Sequence, residues 1–294
     1  MKIAITGASG FIAQELISKL NTIDHIDIIK LSTSTKENDF VYTDYSIDNL
    51  IKVLEGVDTI VHLAAVRGTQ GSITDYHINE IITENILIAM HYVNVKHIIL
   101  ASSIAVYSET KTIPWNEDMV LSPKSLYGIS KASCEYLCML YSKKFRYKYS
   151  ILRIAQVLGL GEKNKGMMNL FIEQALRRQE LIVYGKSIAK RQYIYIKDLV
   201  NAICNCITDS SISSDIYNIG MQNAYSNLEI AQIVNKVFNN EGNIHYIDNK
   251  SENIETSLMS VEKAKEKIAF KPLDLQMSLT DIRKGVISQC MPNI

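Results

Sequence analysis

The chain of 294 residues has no apolar run approaching the roughly 20 residues that span a bilayer, so no membrane partner is expected. Nor does one sign of charge dominate: 31 lysines and arginines balance 31 aspartates and glutamates. A broad polyanion-binding surface needs such an excess, which makes nucleic acid a poor partner for this chain. The five cysteines lack metal-ribbon or Cys-x-x-Cys spacing, since Cys134 and Cys138 stand four apart and Cys204 and Cys206 two apart. Reduced, mostly buried thiols and no metal site are expected. The first apolar segment follows a single lysine and breaks at Thr6-Gly7 without a cleavage-type stretch, so a cytoplasmic location is expected rather than a secretory signal. No repeat and no low-complexity linker interrupts the sequence. What is present is 47% hydrophobic and 21% charged residues, the balance of an ordinary globular enzyme or binding protein, in enough length for one large core or two modest domains.

Near-continuous Ile/Val/Leu runs recur at residues 2–6, 26–31, 58–65 ("DTIVHLAA"), 97–103 ("HIILASS") and 149–157 ("YSILRIAQV"). Between them lie helix-length stretches at 11–20, 50–54, 80–92 and 131–145. Buried strands alternating with helices predict an α/β fold with a doubly wound parallel sheet, whose ligands bind beyond the carboxyl ends of the strands. After residue 159 the texture changes. A helix is expected over 167–178, then the strand "LIVYG", a strand running into a helix in "RQYIYIKDLVNAI", the strand "DIYNIG", a helix over 227–238 and a small helical cap over 260–272.

Two short stretches carry chemistry. "ITGASGFIA", 5–13, joins the first strand to the first helix, with Gly7 and Gly10 spaced to let an anionic phosphate approach the unpaired amides at a helix start. Ala13 stands where a third glycine is usual, and a small residue there still lets the helix sit close to the strand. "YGISK", 127–131, puts Tyr127 and Lys131 on one helix face. A phenol ordinarily titrates at about 10, too high for efficient proton transfer at neutral pH, and a neighbouring ammonium favours its anion. Ser102 and Ser103 end the fourth apolar run, where a hydroxyl can share a substrate oxygen with Tyr127.

With these motifs in order, the sequence resembles an extended short-chain dehydrogenase/reductase, of the NAD-dependent epimerase/dehydratase family. The resemblance continues through "TDY" at Asp44, "VHLAA", "NEIITEN" at 79–85 with Ile82 where glycine is usual, "SSIAVY", "VLGLG", "RQYIYIKD" and "YNIG". It implies a Rossmann dinucleotide-binding domain over residues 1–158 and a smaller α/β substrate-binding region over 159–294, with 186–220 packing back on the core. It further implies that Gly7, Ser9, Gly10, Phe11 and Ile12 surround a pyrophosphate and that Asp44 and Tyr45 meet the adenine. Leu63, Ala64 and Ala65, with Asn79, would line the cofactor's path. Tyr127 would donate or accept the proton, and Lys131 would bind the nicotinamide ribose. Ser103, four residues before Tyr107, would be the assisting hydroxyl. Arg191 would grip a nucleotide diphosphate, Tyr184 would lie against its base, and Gln156 would stand where relatives carry an asparagine beside the sugar nucleotide. His62 and Asp198 are expected to be structural.

The second strand ends "KLSTSTK" without the carboxylate that holds ribose hydroxyls in NAD-preferring enzymes, Asp27 lying too early. Lys30, Ser32, Thr33 and Lys36 suit a 2′-phosphate, so NADP(H) is favoured and NAD(H) is the alternative. Ile104 and Ala105 follow Ser103 where 4,6-dehydratases of the family carry an acidic pair, which disfavours dehydration. The first expectation is therefore an NADPH-dependent 4-ketoreductase of a nucleotide-activated sugar. A 4-epimerase with tightly bound NAD is the alternative, and a non-catalytic dinucleotide-binding redox sensor a lesser one. By the same resemblance a homodimer would form through helices at 80–92 and 131–145.

Overall fold

The computed structural model describes residues 1–34, 39–68, 70–107, 112–162, 166–240, 244–247 and 255–290. In chain order the first half contains β1 (Lys2–Thr6), α1 (Phe11–Leu20), β2 (Asp27–Ser32), β3 (Val41–Tyr42), α2 (Ile47–Val53), β4 (Thr59–His62), α3 (Ile73–Val93), β5 (His97–Ser103), a 3-10 turn (Ile104–Tyr107), α4 (Leu126–Phe145) and β6 (Lys148–Ile154). The second half contains β7 (Gln156–Leu158), α5 (Met167–Leu176), β8 (Leu181–Tyr184), β9 (Lys190–Tyr195), α6 (Ile196–Thr208), β10 (Asp215–Ile219), β11 (Ala224–Ser226), α7 (Asn227–Phe238), β12 (Ile244–Ile247), α8 (Glu262–Lys267) and α9 (Leu275–Cys290).

The main sheet has seven strands in the order β10-β6-β5-β4-β1-β2-β3, and every pairing in it is parallel. Successive strand residues face opposite sides, and both sides are apolar because helices cover each. Ile3, Ile5, Val61, Ile99 and Leu152 enter one core with α1 and α6. Ala4, Ile60, Ile98, Leu100 and Ile151 enter the other with α2, α3 and α4. The first core runs without a break into the second half, through Phe171, Tyr193 and Ile230. There a three-stranded sheet, β11-β9-β7, and a two-stranded sheet, β12-β8, stand beyond the carboxyl ends of the main strands.

Local sequence explains where the helices that matter begin. Ser72 and Asp75 form a reciprocal capping box that starts α3, seven residues before the stretch expected to be helical. Asn94 ends it in the left-handed conformation. Ser125 caps α4 by accepting from the Gly128 amide at 3.0 Å, so Tyr127 lies in the first turn. Helix α9 was not expected from the sequence. It buries only Leu275, Leu279 and Ile282 of its large apolar side chains, while Met277 and Ile287 are exposed, so its stripe is too sparse to stand out.

Candidate active site

The chain leaves β1 for β2 and β3 on one side and returns to β4 on the other, which opens a crevice beyond the ends of β1 and β4. The glycine loop sits in it. Gly7 has φ of 64°, and a Cβ there would lie 2.9 Å from the Cα and N of Ala64, so the loop touches the β4 exit through bare backbone. The Gly10 amide donates to the Gly7 carbonyl at 2.9 Å. Gly10 is also the N-cap of α1 and supplies no side chain to its first turn, which leaves those amides for an anion. Ala13 is buried beneath, closing helix on strand.

Thr6, the residue before this loop, organises both strand ends. Its hydroxyl accepts from the amides of Leu63 and Ala64, each at 3.1 Å, and lies 2.8 Å from His62 Nδ1. His62 Nε2 continues to the Thr83 hydroxyl at 3.1 Å, and Thr83 donates to the Asn79 carbonyl. Asn79 in turn clamps the loop after β4, accepting from the Val66 amide at 2.7 Å and donating to the Val66 carbonyl and to Ser130 on α4. Burial, with the Lys131 charge second, pushes the imidazole of His62 down to about 3, so it works as a neutral spacer.

A cavity of about 860 Å³ extends from the glycine loop across the ends of β4 and β5 to the second half of the chain. It brings together Gly7, Ser9, Gly10, Phe11, Ile12, Leu63, Ala64, Ala65, Ser103, Tyr127, Lys131 and Gln156. Lys131 is buried, donates from Nζ to the Ala101 carbonyl at 2.7 Å and lies 6.0 Å from the Tyr127 ring centre. Gly128 lets the start of α4 lie against the turn after β5, because a Cβ there would meet the Ala105 carbonyl oxygen at 2.5 Å. The two serines part company. Both line the cavity, but Ser102 is buried and donates its hydroxyl to Glu135, whereas Ser103 is half-buried and its hydroxyl accepts from the Ala105 amide at 3.2 Å.

Other residues named from the sequence stand off the cavity wall. Asp44 is exposed, and the Ser46 hydroxyl and amide that donate to it hold its carboxyl below the usual range. Tyr45 is buried with φ of 59°. Burial raises its phenol while the Gly7 amide and Thr6 hydroxyl beside it oppose the rise, so it braces the loop from behind. Ser32 is buried and accepts from the Ser34 amide at 3.1 Å, Thr33 is exposed, and Lys36 lies outside the described residues. Lys30 pairs with Asp39 at 2.6 Å. Tyr184 and Arg191 are exposed on β8 and β9. Arg191 nevertheless shares the strand face of Tyr193, which lines the cavity two residues on and is the Cα partner of Gln156.

Sequence reasoning overlooked Arg67, Met168, Asn169 and Tyr193 on the cavity wall. It also overlooked Glu135, although Tyr127, Lys131 and Glu135 recur every four residues and so share a helix face. Among the described residues no group of His, Cys, Asp or Glu could hold a metal, four buried cysteines are free, and no helix is long and apolar enough to cross a membrane.

An uncapped helix start behind a glycine loop, opening on a Tyr/Lys pair at a topological switch point, defines a dinucleotide-binding Rossmann protein, and the cradle and cavity fit such a cofactor. The model of the NAD dependent epimerase/dehydratase family matches residues 3–220, and the chain belongs to that family. It is an enzyme of the extended short-chain dehydrogenase/reductase type with a nicotinamide dinucleotide as cofactor. A relative from Methanocaldococcus jannaschii described as a putative UDP-glucose 4-epimerase is 29% identical, over 93% of this chain and 94% of its own. The uncharacterized UDP-glucose epimerase YtcB of Bacillus subtilis is 28% identical, over 92% and 93%. The crystal structure of UDP-N-acetylglucosamine 4-epimerase from Bacillus cereus superposes with a TM-score of 0.89 at 33% identity, covering 100% of this chain and 98% of that one. UDP-glucuronic acid 4-epimerase from Bacillus cereus, in complex with UDP-glucuronic acid and NAD, shares the fold, with a TM-score of 0.84 at 24% identity over 99% and 100%.

Proposed function

We propose that the protein is a sugar-nucleotide 4-epimerase that retains NAD, in place of the NADPH-dependent ketoreductase first expected. The observation that carries this reading is the meeting of Ser103, Tyr127 and Lys131 with the glycine loop in one cavity, with Ile104 and Ala105 instead of acids after Ser103. The 4-epimerases among the relatives favour isomerisation over net reduction. For the cofactor, Lys30 is already paired with Asp39, and the Ser32 hydroxyl already accepts a backbone amide, which weakens the case for a 2′-phosphate.

The residues divide the work. Backbone amides at the start of α1 would hold the pyrophosphate, and the Lys131 ammonium, fixed on the Ala101 carbonyl beside Tyr127, would hold the nicotinamide ribose. When bound, the nicotinamide would supply the two-electron acceptor and donor for the sugar carbon. Tyr127 takes the proton of the C4 hydroxyl as that carbon is oxidised and gives it back after the ketone has presented its other face. Ser103 donates to the same oxygen throughout. Arg191, beyond Tyr193 on β9, anchors the diphosphate so that the sugar turns while the nucleotide stays put. Gln156 and Tyr193 line the space in which it turns.

The test is incubation with UDP-glucose and UDP-N-acetylglucosamine without added cofactor. Interconversion of C4 isomers, with NAD released on denaturation, is expected. Stoichiometric oxidation of added NADPH by a 4-keto sugar nucleotide, without isomer exchange, would overturn the assignment. A homodimer belongs to the same reading, because α3 and α4 expose Ile78, Ile81, Tyr92, Tyr136 and Leu140. Light scattering should report a dimer, and Leu140→Glu should shift it to monomer.

A further inference from the structure

Behind the cavity wall lies an ion pair that the proposed chemistry does not use. Glu135 on α4 and Arg153 on β6 are 2.7 Å apart, with side chains 0% and 3% exposed. Arg153 Nε donates to both carboxylate oxygens at 3.1 Å, and its Nη1 reaches the Tyr107 hydroxyl and the Glu117 carbonyl. Tyr107 continues to Asn218 on β10, which donates to the carbonyls of Trp115 and Ser260. The remaining donor to Glu135 is the hydroxyl of Ser102. Ser102 and Arg153 are Cα partners in the parallel register of β5 and β6, so one carboxylate is held by both strands.

The same stretch of β5 meets α4 twice. The Ala101 carbonyl receives Lys131, the Ser102 hydroxyl is given to Glu135, and the next residue, Ser103, lines the cavity. Lys131 and Glu135 are one helical turn apart, as are Lys131 and Tyr127. The helix carrying Tyr127 is therefore tied to the strand carrying Ser103 by two polar rungs. The second rung is itself fixed by a buried guanidinium whose five donors suit a carboxylate fork. Two charges buried this thoroughly gain little net stability over apolar residues of the same size, so their value lies elsewhere.

We propose that Glu135, held by Arg153, and Ser102 act as positioning residues, setting the distance between the Ser103 hydroxyl and the Tyr127 phenol. The proposal rests on the Ser103/Tyr127/Lys131 reading and adds to it. Glu135 does not line the cavity, and Ser102, which does, gives its hydroxyl proton to Glu135, so both act through the neighbours they fix. The rung constrains turnover more than binding, because substrate grip comes from the other half of the cavity.

The experiment compares Ser102→Ala, Glu135→Asp and Tyr127→Phe in the full chain. kcat, KM, dinucleotide affinity and melting temperature are measured for each, with assays run well below melting. Ser102→Ala removes only the hydroxyl rung. Glu135→Asp keeps the charge opposite Arg153 but withdraws the carboxylate, so it serves if the alanine variant folds poorly. Both should lower kcat about 10- to 100-fold, the scale of a sub-ångström to 1 Å misplacement, with KM and dinucleotide affinity within about twofold of the parent. Parental kcat in both variants, with only the melting temperature lowered, would make the network purely structural and overturn the proposal. Parental turnover in Tyr127→Phe would instead overturn the site assignment itself, and the two failures are told apart by which variant stays active.

Discussion

The cavity is walled by two regions built on different terms. Residues 1–155 contribute three adjacent strand ends locked together through backbone groups: Gly7 against Ala64, the Leu63 and Ala64 amides on Thr6, and the Ala101 carbonyl on Lys131. Residues beyond 155 contribute side chains from separate elements, Gln156 on β7, Met168 and Asn169 on α5, and Tyr193 on β9. A wall made of backbone binds the invariant part of a ligand, since every residue carries the same donors and acceptors. A wall made of side chains can change its preference one residue at a time. Under the proposed function, the difference assigns the cofactor and the proton chemistry to the first region and the choice of sugar to the second.

The largest effect should separate chemistry from binding. Tyr127→Phe should cut turnover about 10²- to 10⁴-fold while the protein still takes up dinucleotide, checked by single-turnover kinetics beside equilibrium titration. Substrate binding that failed as badly as turnover would erase the proposed division. Next come two substitutions, one in the glycine loop of the first region and one on β9 beside the wall of the second. Gly7→Ala puts a Cβ against the Ala64 backbone at a left-handed φ, which costs about 1–2 kcal/mol before the clash is counted. As the empty loop can relax away from that strain and the dinucleotide-bound loop cannot, retention should weaken about 5- to 30-fold, the equivalent of that backbone cost. Arg191→Ala should leave retention alone and raise KM for the sugar nucleotide about 10- to 100-fold, as loss of a charge-assisted hydrogen bond would. Calorimetric titration of each variant with each ligand would sharpen the comparison, and crossed effects would break it.

The smallest effect concerns acid. His62 is pushed down to about 3 and His97 to about 4, in both cases by burial first and a nearby lysine second. Both rings stay neutral in the folded chain while the unfolded chain takes up protons near pH 6.5, so their contribution is complete above that pH and is lost as pH falls towards 4 and 3. Each ring steepens the loss by at most about 1.4 kcal/mol per pH unit. Both lie in the first region. Urea unfolding at pH 7.5 and 5.5 should show that slope, and His62→Asn should remove about one proton's share of it.

The first region was also the more legible in sequence. Gly7, Gly10, Tyr127 and Lys131 could be read because short spacing alone determines which backbone amides or side chains come together. Asp44 and Tyr45 were harder, because such residues serve equally to hold Ser46, the N-cap of α2, and to brace Gly7 from behind, and only packing selects those roles. The start of α3 at Ile73 depends on a capping box within a polar stretch, and α9 on three buried residues. Neither stands out from its neighbours by composition. In the second region Tyr193 reads as an ordinary strand aromatic until β7 is laid beside β9.

From sequence alone came the parallel α/β sheet, the phosphate-type loop and the Tyr/Lys helix face, because each depends on periodicity or on residues within a few positions of one another. Tertiary structure decided which serine gives its hydroxyl proton to Glu135, that Glu135 also meets Arg153, and which residues of the second half reach the site. Those relations join segments tens of residues apart, and only strand register and helix packing bring them within hydrogen-bonding distance.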